Sequence, residues 1–185
     1  MTLHPPSPCG HSASLPVYQA HALRNDARHH ILVCVGLPDA SDLRFLAELP
    51  QRMPHQHHCL MLEDDGDGNL PPAQTARLMP LLSEARTGWH LYLSGPEAGL
   101  WPLYVQAIQA GMQPQEISLH RHDSAMRPIY CVHCGTRQQA ASQAPQPICG
   151  CCGVALEIRD HFSRVQGAYL GVVANADQPY ARAST

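Results

Sequence analysis

The chain contains no lysine, and all 12 of its basic residues are arginine. A lysine is needed for the phosphate contact of a P-loop, for Schiff-base chemistry and for a lysine general base. The sequence therefore excludes these mechanisms. The formal net charge of −3 also argues against a nucleic-acid partner and against binding to a membrane surface, because such binders carry clustered positive charge.

Long apolar runs are also absent from the sequence. Residues 1–10 lack the apolar core of a signal peptide, and no run approaches the ~20 apolar residues that span a bilayer. These features predict a cytoplasmic protein with no membrane partner. In that compartment the eight cysteines are expected to be reduced or bound to metal.

Hydrophobic residues make up 44% of the 185-residue chain, which is enough to bury the core of an α/β domain with a small appendage. The segment between residues 31 and 123 alternates apolar runs with amphipathic stretches. Such alternation predicts a parallel sheet covered by helices on both faces. The predicted strands are 31–35, 59–62, 89–93 and 116–120, and the predicted helices are 39–49, 74–85 and 97–112, the second being interrupted by Pro80.

Capping residues and apolar spacing define the first of these helices. Asp39 or Ser41 is suited to cap its N-terminus, and Leu43, Leu46 and Leu49 are expected on one face.

Changes in composition predict the domain boundaries. Residues 1–30 form a proline- and histidine-rich tail that is loosely ordered or laid over another surface. Residues 31–123 form the α/β domain, and the boundary lies between His122 and Pro128. Residues 128–175 form a small β-rich metal ribbon with strand-like runs at 154–158 and 168–173, and residues 176–185 form a second tail.

Two Cys-x2-Cys-Gly motifs carry the strongest chemical signal in the sequence. Cys131 and Cys134 form the first pair, Cys149 and Cys152 form the second, and 14 residues separate the pairs. This spacing is typical of a metal ribbon. In each motif, the following glycine lets the backbone turn with positive φ, so that amide groups can donate to the sulfurs. The pattern predicts one metal ion held by these four thiolates, and a module this small needs the metal in order to fold.

Spacing alone leaves the identity of the metal open. Zinc is favoured, and iron is the alternative, because rubredoxin-type knuckles share the Cys-x2-Cys-Gly form but commonly have a proline where this chain has Gly150. Cys151 could replace a neighbour as a ligand, and His133 is expected to be a solvent-facing spacer. Unligated or redox-paired cysteines are the remaining alternative. No carboxylate pair or Ser/His/Asp grouping can be recognised by spacing.

The stretch from His90 to His120 resembles the end of the nicotinamide domain of ferredoxin-reductase-like flavoproteins. A strand ends in Ser94-Gly-Pro, where that family has Cys-Gly-Pro, and a helix and a last strand follow. After the first strand the chain has Gly36-Leu-Pro-Asp-Ala-Ser41 instead of the glycine-rich turn that cradles pyrophosphate. The resemblance therefore implies a degenerate reductase-like domain, with no nucleotide site because Asp39 would repel phosphate.

The C-terminal stretch resembles the small subunit family of bacterial dimethylamine monooxygenase. The resemblance is carried by Cys131-x2-Cys134-Gly-Thr136, the second cysteine pair, Leu156–Arg164 and Gly167–Val172. It implies a subunit of an NADPH- and O2-dependent enzyme that oxidatively N-demethylates a secondary amine. The expected partners are a haem-type oxidative demethylase subunit and a flavin/iron–sulfur reductase subunit. Flavin, iron–sulfur and haem are expected only in those partners, and this chain is expected to have no catalytic residue.

Three functional hypotheses follow from these observations. The preferred one is a non-catalytic subunit that serves structure or assembly. The second is a rubredoxin-like subunit that carries electrons in the same complex, and the third is a free-standing zinc-ribbon adaptor. The candidate docking residues are Arg159, Asp160, His161, Arg164 and Tyr169, with a solvated charged turn between two strands as the alternative for this segment.

Overall fold

The computed structural model describes residues 14–66 and 68–177. Its strands are β1 (His29–Val35), β2 (His57–Leu62), β3 (Trp89–Gly95), β4 (Ile117–Arg121), β5 (Met126–Cys131), β6 (Arg137–Ala141), β7 (Leu156–Ser163) and β8 (Ala168–Val173). Its helices are α1 (Ala40–Arg52), α2 (Pro72–Ala76), α3 (Met79–Glu84) and α4 (Glu97–Gln109), and a 3₁₀ turn spans Pro114–Glu116. None of the helices among these residues is long and apolar enough to cross a membrane.

The first four strands form one parallel sheet in the order β2-β1-β3-β4. Residues 31–35 of β1 are all fully buried, as expected for a central strand covered on both faces. The larger core lies on one face and includes Leu91, Leu93, Leu100 and Leu103. This arrangement confirms the predicted α/β class and parallel sheet, whereas the finer likeness to a nicotinamide domain is not confirmed.

Helix α1 begins where the sequence predicts, because Asp39 is its N-cap. The Asp39 side chain accepts hydrogen bonds from the backbone N–H groups of Ser41 and Asp42, and the Asp42 side chain accepts one from the N–H of Asp39. Of the three leucines predicted on one face, Leu43 is 57% exposed and Leu49 is buried. The buried face contains Asp42, Phe45 and Leu49, so the helix turns a carboxylate inward.

The predicted helix over residues 74–85 is two short helices, α2 and α3. Pro72 and Pro80 each lie in the first turn of one of them, where the missing N–H of proline costs no hydrogen bond. Pro80 therefore starts a helix instead of interrupting one.

Residues 14–28 contain no helix or strand and lie against the chain's own first sheet. The N–H of Gln19 donates to the carbonyl of Leu119 at 2.9 Å, and the N–H of Arg24 donates to the Tyr92 hydroxyl at 3.0 Å. These bonds hold residues 14–28 against β3 and β4. The remaining parts of the two predicted tails, residues 1–13 and 178–185, lie outside the described residues.

The second sheet has the order β6-β5-β8-β7. Strands β5 and β8 are parallel, whereas β5 with β6 and β7 with β8 are antiparallel. Its small core contains Ile129, Val154 and Leu156 beside two of the cysteines. Strand β7 has an irregular register between Ile158 and Phe162, so residues 159–161 lie in an edge strand and not in the predicted turn. The turn itself covers residues 164–167.

The two sheets meet at Trp101 of α4. Its ring packs against Phe162 of β7 with ring centroids 4.6 Å apart. The turn before β8 also approaches closely, because a Cβ atom added to Gly167 would lie 2.5 Å from Cβ of Trp101. Gly167 has φ +57°, so both its backbone conformation and the space around it favour glycine.

We predict that Gly167→Ala destabilises the junction between the sheets. A left-handed alanine costs about 1 kcal/mol or more, and the contact with Trp101 adds to that cost because a helix backbone cannot give way easily. Gly111→Ala is the matched control, since Gly111 has φ +102° and nothing within 4 Å of an added Cβ. Urea unfolding of both variants measures the difference, and equal midpoints would show that the close approach contributes nothing.

Candidate metal centre

The two cysteine knuckles have the same backbone geometry. In the first, which follows β5, the N–H of Gly135 donates to the carbonyl of Cys131 at 2.8 Å. In the second, the N–H of Gly153 donates to the carbonyl of Cys149 at 2.9 Å. Both glycines have positive φ, +75° and +73°, as the sequence pattern requires. Each knuckle therefore turns its two cysteine side chains toward the other knuckle.

The four predicted sulfurs form one cluster. The Sγ atoms of Cys131 and Cys152 are 3.9 Å apart, those of Cys134 and Cys149 are 3.6 Å apart, and all four lie within 4.8 Å of one another. A tetrahedron with metal–sulfur bonds of about 2.3 Å has edges of about 3.8 Å. The separations are too long for a disulfide, whose sulfurs lie about 2.05 Å apart. These four cysteines can hold one metal ion.

The cluster is buried on one side and open to solvent on the other. Cys131 and Cys149 are 0% and 1% exposed, whereas Cys134 lies at the surface. The hydrogen bond from the Thr136 side chain is the largest influence on Cys134 and lowers the pKa of its thiol to about 6. This cysteine is therefore poised to supply a thiolate at neutral pH.

Cys151 and His133 lie in the knuckles but outside the four-sulfur cluster. Both are exposed, and neither belongs to the group of atoms that converge. The choice of Cys149 over Cys151 as a ligand, and the role of His133 as a spacer, stay predictions.

The five candidate docking residues differ in their contacts within the chain. Arg159 and Asp160 are exposed on β7, where Arg159 pairs with Glu157 at 2.8 Å, and Arg164 is exposed in the following turn. His161 contacts the Ser14 hydroxyl at 2.7 Å. Tyr169 is used inside the chain, because its hydroxyl donates to Glu97 at 3.3 Å across the junction of the two sheets. The docking role of these five residues stays a prediction.

A second group of chemically capable side chains lies at the carboxyl edge of the parallel sheet. It contains Asp39 and Asp42 at the start of α1, Ser94 in β3, His120 in β4 and His122 just after it. We call these five residues the edge cluster. One side-chain atom from each of its two aspartates and two histidines lies within 4.8 Å of the others. His21, from the N-terminal segment, contacts the cluster from outside.

Asp42 is the centre of the edge cluster and is 0% exposed. Its Oδ1 accepts from the Ser94 hydroxyl at 2.5 Å and from His21 Nε2 at 3.0 Å, and its Oδ2 accepts from His122 Nε2 at 2.7 Å. Burial alone would raise the pKa of this carboxyl, but the bonds from His122, His21 and Ser94 outweigh burial and hold the pKa well below its usual range. The same bond to Asp42 raises the pKa of His122.

The edge cluster does not have the geometry of a hydrolytic triad. In such a triad the serine and the carboxylate contact opposite nitrogens of the imidazole. Here Ser94 Oγ, at 2.9 Å, and Asp42 Oδ2 both contact Nε2 of His122. Ser94 is also fully buried. His122 therefore cannot accept a proton from Ser94 at one ring nitrogen while Asp42 holds the other, as the histidine of a triad does.

A cavity of about 590 Å³ lies beside the edge cluster. Its walls include His122, Arg121 and Glu97 from the first sheet's side and Asp160 and Tyr169 from the second sheet. The cavity thus joins the carboxyl edge of the parallel sheet to the ribbon module.

Sequence reasoning missed the edge cluster, although one signal for it was present. Polar residues follow or end three predicted strands, at Asp39, Ser94 and His120, and the carboxyl ends of parallel strands meet at one edge. No sequence signal places His21 there, because it lies in a segment without periodicity.

Comparison with known proteins gives two matches. Residues 128–172 match the family model described as the dimethylamine monooxygenase subunit DmmA-like C-terminal domain. The chain is also 39% identical over 173 residues to the heme-dependent oxidative N-demethylase delta subunit of Ectopseudomonas mendocina (strain ymp). That alignment covers 92% of this chain and 93% of the relative. No solved structure matches the chain.

The first match covers the ribbon module and the second covers nearly the whole chain, so the likeness extends to the α/β domain as well as to the cysteines. This chain therefore belongs to the DmmA-like family of small subunits, whose members include an oxidative N-demethylase delta subunit.

Proposed function

We propose that the chain is a non-catalytic subunit of a multisubunit, NADPH- and O2-dependent monooxygenase that oxidatively N-demethylates dimethylamine or a similar secondary amine. The observation that carries this proposal is the 39% identity with a delta subunit of an oxidative N-demethylase over 92% of the chain. The designation "delta subunit" implies that the relative is one of several different subunits. The expected partners here are a haem-type demethylase subunit and a flavin/iron–sulfur reductase subunit.

A structural role for the ribbon follows from the donor set of its four cysteines. Four thiolates fill a tetrahedral shell and leave no position for O2 or substrate. A metal ion bound there would cross-link the end of β5 and the two knuckles, and its role would be structural if it is zinc. The ribbon core contains only a few apolar residues, so the metal would supply a large part of its folding free energy.

Electron transfer is the second candidate function, and the exposed position of Cys134 favours it. Iron in the same four-sulfur site could exchange an electron with a partner docked over the exposed knuckle. The residue after Cys149 is Gly150, whose N–H donates to the side chain of Gln138 at 2.8 Å. This amide is therefore not available to donate to a cysteine sulfur. We prefer zinc for this site because nothing else around the cysteines is specific to iron.

The α/β domain is proposed to lack nucleotide binding and to act as a docking platform. In a dinucleotide-binding domain, the N–H groups at the start of the first helix face the pyrophosphate. In this chain the carboxylate of Asp39 accepts from two of these groups, those of Ser41 and Asp42. A phosphate would have to displace a bonded carboxylate and sit beside its charge.

The first prediction from this proposal concerns the ribbon metal. Serine at Cys131, Cys134, Cys149 or Cys152 should remove the metal and unfold the ribbon, because structural metal binding contributes on the order of 10 kcal/mol. Cys151→Ser is the control and should keep the metal. Elemental analysis and circular dichroism measure both effects and also identify zinc or iron. Metal lost from Cys151→Ser but kept in Cys149→Ser would contradict the ligand assignment.

The second prediction concerns nucleotides. Calorimetric titration of the full chain with NADPH or NADH should give no binding below about millimolar concentration, since the helix amides are capped and no lysine is available. The reductase-like partner subunit, titrated in the same buffer, serves as the positive control. A micromolar dissociation constant for this chain would overturn the proposed loss of the nucleotide site.

The third prediction concerns assembly. Co-expression with the demethylase-like and reductase-like subunits should give a stable complex, and omitting this chain should abolish most NADPH-driven demethylation. Replacing Arg159 and Arg164 together with alanine should weaken the complex about tenfold, because both are exposed cations at one edge of the second sheet.

The matched control replaces two exposed arginines on the first domain, Arg44 and Arg86, with alanine, which changes the net charge equally. Affinity between purified subunits measures the effect. Full coupled activity without this chain would remove the proposed function. Equal weakening by both pairs would show that general charge, and not a docking site on β7, governs assembly.

A further inference from the structure

We infer that the edge cluster is a second metal site, in which Asp39, Asp42, His120 and His122 bind one divalent first-row transition ion. The ion is expected to prefer nitrogen and oxygen ligands, as zinc and iron(II) do. The inference is independent of the proposed function, because it rests on the geometry of side chains in the α/β domain and not on a partner.

In each carboxylate of the site, one oxygen accepts hydrogen bonds that fix the side chain and the other oxygen faces an imidazole nitrogen. In Asp39, Oδ1 caps α1 by accepting from two backbone N–H groups, whereas Oδ2 faces His120 Nε2 at 2.8 Å and His122 Nε2 at 3.8 Å. In Asp42, Oδ1 accepts from Ser94 and His21, whereas Oδ2 faces His122 at 2.7 Å. The outer oxygens thus hold the carboxylates in place, and the inner oxygens converge with two imidazole nitrogens.

Carboxylates that bind a metal in proteins usually have this arrangement, with one oxygen on the ion and the other in a hydrogen bond. Ligating carboxylates are fixed by hydrogen bonds from an outer shell, which orients the ligand atom toward the ion. Ser94 and His21 supply that shell for Asp42, and the helix N-terminus supplies it for Asp39. Asp42 Oδ2 also accepts from the N–H of Asp39 at 3.0 Å, which leaves its second lone pair for the ion.

The distances fit an ion with short bonds. Metal–nitrogen and metal–oxygen bonds of about 2.0–2.2 Å place neighbouring ligand atoms about 3.0–3.5 Å apart. The pairs that involve His122 Nε2 are 2.7 Å to Asp42 and 3.8 Å to Asp39, on either side of that range. The remaining pairs of these four ligand atoms lie within 4.8 Å of one another, so a bound ion would draw the widest pairs together by about 1 Å. It would replace the protons that the imidazoles now share with the carboxylates.

The charge of the four ligands and their access to solvent are also suitable for binding a divalent ion. Two carboxylates and two neutral imidazoles balance a divalent ion, and the carboxylates offset the positive end of the α1 dipole. Asp42 is buried, but the side chains of His120 and His122 are 14% and 13% exposed. His122 lines the 590 Å³ cavity at the junction of the sheets, which provides a path for the ion. Imidazole with carboxylate favours zinc or iron over the softer ions that thiolates select.

The test uses the full chain and zinc. After equilibration with excess zinc and removal of loosely bound metal, elemental analysis should find one ion more in the wild-type chain than in His122→Gln or His120→Gln. The ribbon metal, which these variants should keep, is an internal check that they fold. His55→Gln is the matched control, because His55 is exposed in the loop before β2 and should not change the count.

Cobalt(II) provides a readout that needs no variant. Cobalt bound by four thiolates gives intense sulfur-to-metal charge-transfer absorption, whereas cobalt bound by imidazole and carboxylate gives only weak visible bands. The second equivalent added to the wild-type chain should therefore add weak visible bands without further charge transfer. Absence of a second tight equivalent, or an equal zinc count in wild type and both histidine variants, would overturn the inference.

Failure of this inference is distinguishable from failure of the proposed function. If the edge cluster binds no metal, the chain can still be required for demethylation. If the chain is dispensable for demethylation, the difference of one ion between wild type and His122→Gln is unaffected.

Discussion

The buried carboxylate of Asp42 is the interaction on which the α/β domain depends. A charge without solvent costs several kcal/mol unless donors surround it. Asp42 receives donors from four separate parts of the chain, namely the backbone of Asp39, the hydroxyl of Ser94, and the imidazoles of His21 and His122. Any other register of β3, β4 or the N-terminal segment would leave the charge uncompensated, so this one group specifies how those elements meet.

Glu97 is a second buried carboxylate that accepts hydrogen bonds from separate parts of the chain, and it lies at the junction of the two sheets. It is 3% exposed and accepts from the hydroxyls of Tyr18 and Tyr169, which come from the N-terminal segment and from β8. Burial, together with the neighbouring charge of Glu97, raises the pKa of Tyr169 to about 12, so this phenol remains a donor at neutral pH. Since Trp101 also donates to Tyr18, at 2.9 Å, the ribbon module is oriented by polar contacts as well as by the packing of Trp101 on Phe162.

Local signals were sufficient to predict the parts of the structure that local chemistry determines. The β1 run, the Asp39 cap and the two cysteine knuckles each depend on residues that are close in sequence, and each is present in the structure. The inward face of α1 could not be predicted from apolar spacing, because spacing cannot anticipate a buried aspartate that is compensated by residues 52 and 80 positions away. For the same reason the edge cluster was missed, since its members meet only after the parallel sheet has formed.

The two aspartates at the start of α1 determine the electrostatic character of the carboxyl edge of the parallel sheet. The carboxyl edge of a parallel sheet is the usual position for a ligand, and an exposed helix N-terminus there attracts anions. In this chain Asp39 occupies the helix amides, and Asp42 places a second negative charge beside them. Two carboxylates at this edge favour a cation over an anion, and the imidazoles of His120 and His122 lie beside them. The proposed absence of nucleotide binding and the proposed metal site would then be two consequences of the same pair of aspartates.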